Sequence, residues 1–161
     1  MSEQEATVLT GKCTCGSVQY ALQAAPMYVH CCHCSWCQHE TGSAFALNAM
    51  IEASNLKILS GRVEETKLPS KSGYGQILKR CPNCKVVLWS HYGGAKEAVA
   101  FVRVGTLDEP GRCPPDIHIY TSTKLPWVIL DDKVPVMEEF YQRSKLWPPA
   151  SVERYKKCLG K

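Results

Sequence analysis

Three features of the chain predict a mainly β fold of short antiparallel sheets with one or two short helices. Brief segments rich in β-branched and aromatic residues recur between Gly, Pro and Asn. Helical periodicity is weak before Val136. Cysteines gathered in three tight clusters supply points where distant segments can be pinned together. At 161 residues the chain fits one domain, long enough to bury a core of its own.

Taken in order, the expected strands are residues 17–22, 44–51, 56–59, 75–79, 86–90, 98–104 and 117–120. A short turn of helix is expected after Cys34 and another over residues 136–143. Residues 145–161, with Pro148, Pro149 and five basic residues, read as a peripheral and mobile tail. No apolar stretch approaches the roughly twenty residues that span a bilayer, so no membrane segment is expected.

Ten cysteines would suit a disulfide framework, but the chain opens Met-Ser-Glu-Gln-Glu-Ala, with neither a basic start nor an apolar run. A reducing, cytoplasmic setting is therefore expected, and there closely spaced cysteines bind metal. The adjacent Cys31 and Cys32 are also too close for an ordinary bridge. Metal changes the meaning of the charge. A zinc with four thiolates carries −2 and one with three carries −1, which brings the formal +4 to about +1, so nucleic acid is not an expected partner.

The grouping of the thiols matters more than their number. Cys13-x-Cys15 and Cys81-x-x-Cys84 supply four sulfurs, enough to close a tetrahedral shell, whereas Cys32, Cys34 and Cys37 supply three and leave one position for water or substrate. Two Zn2+ sites per chain are expected, one structural and one reactive. In an extended segment alternate side chains share a face, which pairs Cys13 with Cys15 and Cys32 with Cys34 and turns Cys31 and His33 to the opposite side. Cys37 then swings back through a turn. Pro82 and Asn83 make the third cluster a knuckle, and its natural partner is the first doublet.

These residues resemble the glutathione-dependent formaldehyde-activating enzymes, the CENP-V/GFA domain, with an Mss4-like β fold. The likeness rests on Gly11-Lys12-Cys13-Thr14-Cys15-Gly16-Ser17-Val18-Gln19-Tyr20, on Cys32-His33-Cys34-Ser35-Trp36-Cys37 followed by Thr41-Gly42-Ser43-Ala44-Phe45, and on Cys81-Pro82-Asn83-Cys84 followed by Leu88. Ile117-His118-Ile119-Tyr120 and Pro126-Trp127 resemble the family's C-terminal signature, so the likeness spans about residues 9–141. It implies residues 1–8 as an N-terminal extension, a zinc domain over 9–144 and the basic tail over 145–161. It also implies a structural zinc on Cys13, Cys15, Cys81 and Cys84, a catalytic zinc on Cys32, Cys34 and Cys37, and carbon–sulfur lyase activity on glutathione adducts of formaldehyde. Two departures stand out: Gln38 and His39 replace the basic residues usual after the triplet, and Lys85 replaces the Gly that usually ends the second knuckle, a strain of roughly 1 kcal/mol if φ is positive there.

The chemistry expected at an open zinc is the addition of a thiol to an aldehyde, or its reversal by cleavage of a carbon–sulfur bond. His33 and His118 are the candidate proton carriers, with His39 the other histidine near a motif. His33 also fits a backbone-bonded supporting role, and His118, alternating with Ile117 and Ile119, lines a pocket or faces solvent. Trp36, Trp89 and Trp127 suit core or rim packing or a substrate stack, as do Phe45 and Tyr92. The expected pocket lies at the triplet, between the loop after Gly42 and the strands carrying Trp89 and His118. Cys113 and Cys158 read as incidental thiols, while Cys31 beside the triplet is the sulfur that could close its zinc. In that event the protein would be a non-catalytic, zinc-stapled binding module.

Overall fold

The computed structural model describes residues 8–161, and all but the last residue of the expected N-terminal extension, residues 1–8, lies outside the described residues. Two sheets form among them. Strands β1 (Leu9–Lys12), β2 (Gln19–Leu22) and β5 (Leu56–Ser60) make an antiparallel three-stranded sheet. The second has seven strands: β3 (Tyr28–Cys32), β4 (Ala46–Glu52), β6 (Glu64–Leu68), β7 (Gln76–Arg80), β8 (Val87–Tyr92), β9 (Val99–Arg103) and β10 (Ile117–Ile119). Its spatial order is β10-β3-β4-β9-β8-β7-β6. Every pair is antiparallel except β10 with β3, which run parallel with His118 opposite Cys31.

All seven expected strands occur within a few residues of their predicted limits, and three more appear. β3 is buried along its whole length, so it lacks the in-and-out alternation that announces a strand. β6, with Glu64, Glu65 and Lys67, is an edge strand whose charges keep its free side from pairing further. β1 is four residues containing Gly11, whose missing side chain matters. A Cβ there would stand 2.5 Å from the Tyr20 ring, whose hydroxyl bonds Thr106 at 2.6 Å.

The central strands bury both faces, and two apolar clusters result. One lies between the sheets and includes Tyr20, Leu22, Val29, Ile51, Leu88 and Val102. Trp89 belongs to it, edge-on to Tyr20, so this tryptophan is core and does not line the cavity that holds His118. The other cluster includes Tyr28, Cys32, Met50, Phe101, Ile117 and Trp147. Alternation assigns neighbours on one strand to different clusters, as with Val29 and Tyr28.

Helix α1 (Ser35–Thr41) follows the second cysteine of the triplet as expected. The helix expected over 136–143 is absent. Residues 135–137 instead continue the sheet beside β10, with His118 N–H donating to Pro135 and Met137 N–H to His118. Helices α2 (Arg143–Leu146) and α3 (Pro149–Cys158) form later, and the segment read as a mobile tail packs firmly. Trp147 is 4% exposed and stacks on Tyr28, while Arg154 makes a two-pronged ion pair with Glu52. Five basic residues disguised an amphipathic end anchored by one tryptophan. None of the helices among the described residues is long and apolar enough to cross a membrane.

Candidate metal centre

The two doublets meet. Cys13, Cys15, Cys81 and Cys84 bring their sulfurs within 4.8 Å of one another. Cys13 and Cys15 do so through a tight turn, not the extended segment expected, with Gly16 N–H donating to the Cys13 carbonyl at 3.0 Å. The second knuckle is its counterpart, Lys85 N–H donating to the Cys81 carbonyl at 3.0 Å. Tetrahedral zinc–sulfur bonds of ~2.3 Å hold their sulfurs ~3.8 Å apart. The observed Cys13–Cys15 and Cys15–Cys81 separations are 3.6 and 3.7 Å, so the donor set fits such an ion. Ser17 supplies outer support, its hydroxyl 3.1 Å from the Cys15 sulfur and 3.3 Å from that of Cys81. The Ser17 contact leads the influences that bring Cys81 down to about 6, toward the thiolate a metal needs.

The triplet forms where β3 hands over to α1. Cys32 ends the strand, Cys34 caps the helix by accepting from Cys37 N–H at 3.3 Å, and Cys37 lies in the first turn. Their sulfurs also lie within 4.8 Å of one another. Hydrogen bonds from Cys32 and Cys37, aided by backbone N–H groups, push Cys34 down to about 2, and the bond to Cys34 holds Cys32 up to about 12. Cys37 is raised by the same contacts. Three converging sulfurs are a donor set suited to a soft cation. Gln38 fixes the helix, donating to the His33 carbonyl at 2.8 Å and the Thr123 carbonyl at 2.9 Å.

Two phenols stand near these sulfurs. Burial raises Tyr92 well above its ordinary value and raises Tyr120 as well, and the negative triplet adds to both. Tyr120 adopts the left-handed backbone, φ 53°, which for a bulky residue is a strain often found at working sites. Neither was singled out from sequence as a proton donor. That Tyr120 directly follows the Ile-His-Ile strand was the available signal. Trp36 is partly exposed on α1, its Nε1–H 3.3 Å from Gln76. Trp127 is 71% exposed and packs in no core.

The histidines part company with the triplet. His33 and His118 gather with Cys31 on the opposite face of β3, where the alternation argument had put Cys31 and His33. The Cys31 sulfur is 3.5 Å from His33 Nε2, which is 3.0 Å from His118 Nδ1. Burial lowers His33 to about 4 and also lowers His118, so both rings are neutral at pH 7. Burial raises Cys31 to about 12. His39 is exposed on α1 and joins neither group.

Two cavities border these groups. The one holding Phe45 and His118 has a volume of about 280 Å³ and opens on Cys31 and His33, not on the triplet as expected, because His118 shares the Cys31 side of the sheet. The other, about 440 Å³, is bounded by Tyr92, Gln76, His91, Lys67 and Lys96, and its shared Tyr92 brings it beside the triplet. Lys96 has φ 48° and ψ −134°, a strained backbone at the cavity wall. Lys67 and Lys96 supply cationic groups there that Gln38 and His39 do not.

The sequence pattern of glutathione-dependent formaldehyde-activating enzymes matches residues 8–123, well over half the chain. No curated protein is a significant match. Among solved structures, a crystal structure of a Rhodobacter sphaeroides protein is similar at 18% identity with a TM-score of 0.44, the alignment covering 79% of this chain and 98% of the other. The matched span contains both knuckles, the triplet and β10, and the chain belongs to the glutathione-dependent formaldehyde-activating enzyme family.

Proposed function

We propose that this protein is a zinc-dependent enzyme that makes and breaks the carbon–sulfur bond between a thiol of the glutathione class and an aldehyde such as formaldehyde, at the site of Cys32, Cys34 and Cys37. The observation that carries the reading is the convergence of these three sulfurs with no fourth Cys, His, Asp or Glu grouped with them among the described residues. The nearest rival ligand, Cys31, is engaged on the other face of the strand. Family membership supports the substrate class. Cys13, Cys15, Cys81 and Cys84 would hold a second, structural zinc.

Cys32, Cys34 and Cys37 would hold a zinc ion, which when bound would acidify an incoming thiol in one direction and stabilise a departing sulfur in the other. The chain's own residues do the rest. Cys32, Cys34 and Cys37 converge their sulfurs to hold the ion, Cys34 from the helix N-cap and Cys37 from the first turn. In the cleavage direction the adduct's hydroxyl proton passes to solvent water as the carbon–sulfur bond breaks and sulfur keeps the bonding pair. In synthesis the aldehyde oxygen gains a proton. Tyr120 and Tyr92, both protonated at pH 7, are the groups near the sulfurs able to donate a hydrogen bond to that oxygen. Lys67 and Lys96 meet the carboxylates of a tripeptide thiol lying in the larger cavity. His33 and His118, grouped with Cys31 and apart from the triplet, are given no part in this step.

The deciding experiment compares wild type with Cys34→Ser for zinc per chain and for turnover of the glutathione–formaldehyde adduct. Loss of one zinc with a fall in turnover of two orders of magnitude or more, about 3 kcal/mol in the barrier, is expected. Undiminished turnover after that zinc is lost would reject the mechanism.

A further inference from the structure

The third cluster of metal-binding side chains is not used by that reaction. It sits on the reverse face of β3: Cys31 lies in that strand, His118 in β10, and His33 just past the end of β3, where its N–H donates to the Ile119 carbonyl at 3.0 Å. Cys31 and His33, two residues apart, point the same way, and His118 is the parallel-strand residue directly opposite Cys31. Strand register, not a flexible loop, brings the three together, so their geometry is fixed before any ligand arrives. All are deeply buried: His33 is 0% exposed, Cys31 2% and His118 8%.

Their separations carry chemical information. Zinc bonds of ~2.0 Å to nitrogen and ~2.3 Å to sulfur, set at the tetrahedral angle, place the two nitrogens ~3.3 Å apart and sulfur ~3.5 Å from nitrogen. The observed values are 3.0 Å for His33 Nε2 to His118 Nδ1 and 3.5 Å for Cys31 Sγ to His33 Nε2. Two ring nitrogens that face each other this closely need a proton or a cation between them. The Cys31 sulfur and the His118 ring both face the same His33 nitrogen, Nε2, which leaves one point at which all three can share a cation. The cavity of about 280 Å³ adds an open side. Cys31, His33 and His118 form one part of its wall, Phe45 and Leu130 are among its apolar residues, and Asp131 brings a carboxylate close enough to act on His118 by charge.

We infer that Cys31, His33 and His118 form a third metal site, selective for a zinc-class divalent cation, whose remaining coordination position faces this cavity and takes water or a small donor ligand. One thiolate with two imidazoles suits a borderline-soft ion, and three protein ligands beside a cavity are the arrangement of an exchangeable centre, not a closed staple. The site is separate from the reaction assigned to the triplet and does not depend on it.

The test counts zinc by mass spectrometry in metal-replete, desalted full-length protein, for wild type, Cys31→Ser, His118→Ala and Cys34→Ser. Cys31→Ser and His118→Ala are each expected to bind one zinc fewer than wild type. Combined with Cys34→Ser, His118→Ala is expected to lose two, which separates this site from the triplet. Zinc content equal to wild type in Cys31→Ser and His118→Ala would overturn the inference, whatever Cys34→Ser does. Cadmium-113 NMR of the unaltered protein covers the case of variants that fail to fold. A resonance upfield of the all-sulfur signals, from a mixed sulfur–nitrogen site, is expected, and its absence from the cadmium-loaded protein would overturn the inference equally.

Discussion

Lys85 closes the second knuckle with φ 64°, the left-handed backbone that a glycine adopts freely. Its amide is committed to the Cys81 carbonyl at 3.0 Å, so the turn cannot relax without opening the metal loop. The ammonium reaches Glu64 at 2.9 Å, but this pair is exposed and contributes a few tenths of a kcal/mol at most. Lys85→Gly is therefore expected to raise stability by about 0.5–1 kcal/mol in urea unfolding, and an unchanged or lower midpoint would show that the strain is offset elsewhere. The position could be suspected from sequence because the Cys-Pro-Asn-Cys knuckle defines a turn within five residues. Tyr120 and Lys96 adopt positive φ with no such local signal. Their conformations follow from what the neighbouring strands and cavity impose.

At the scale of elements, β3 decides the layout of the sites. Its alternation sends Cys31 toward His33 and His118, and Cys32 toward Cys34 and Cys37, so that one strand borders two clusters able to hold a metal. The residue pattern allowed that division to be drawn without coordinates, although a strand with both faces buried could not be recognised as one by hydropathy. The C-terminal helices are the opposite case. Pro148 and the run of basic residues hid the role of Trp147, which stacks on Tyr28 at 5.2 Å and donates from Nε1 to the Tyr141 hydroxyl at 2.6 Å. That hydroxyl is in turn 2.5 Å from His30 Nε2. Trp147→Ala removes a buried ring and its hydrogen bond together. A loss of about 3–5 kcal/mol is expected in chemical denaturation. A loss below about 1 kcal/mol would return these residues to the status of a dispensable tail.

For the whole molecule, the four-sulfur cluster joins the β1–β2 turn to the β7–β8 knuckle across 66 residues of sequence. A metal closing so long a loop stabilises the folded state by holding together segments that the free chain would keep apart. Cys81→Ser, or prolonged chelation of the wild type, is expected to cost at least about 3 kcal/mol and to lower the thermal midpoint. If the midpoint stays in place while metal is lost, the apolar cluster between the sheets holds the fold alone. The same cluster explains why the two sheets meet where they do, since Cys13 and Cys81 are buried members of it.

By itself the sequence determined the β class, the helix after Cys34, the two separate cysteine sets and the family, because ligand spacing and turn chemistry act over only a few residues. Tertiary structure alone decided what crosses those limits. Parallel pairing of β10 with β3 set His118 against Cys31 and turned its cavity away from the triplet. Packing instead placed Tyr92 and Tyr120 near the triplet and two lysines on the cavity that Tyr92 borders. Register between strands more than eighty residues apart is fixed by the buried face of the entire sheet, and no local pattern encodes it.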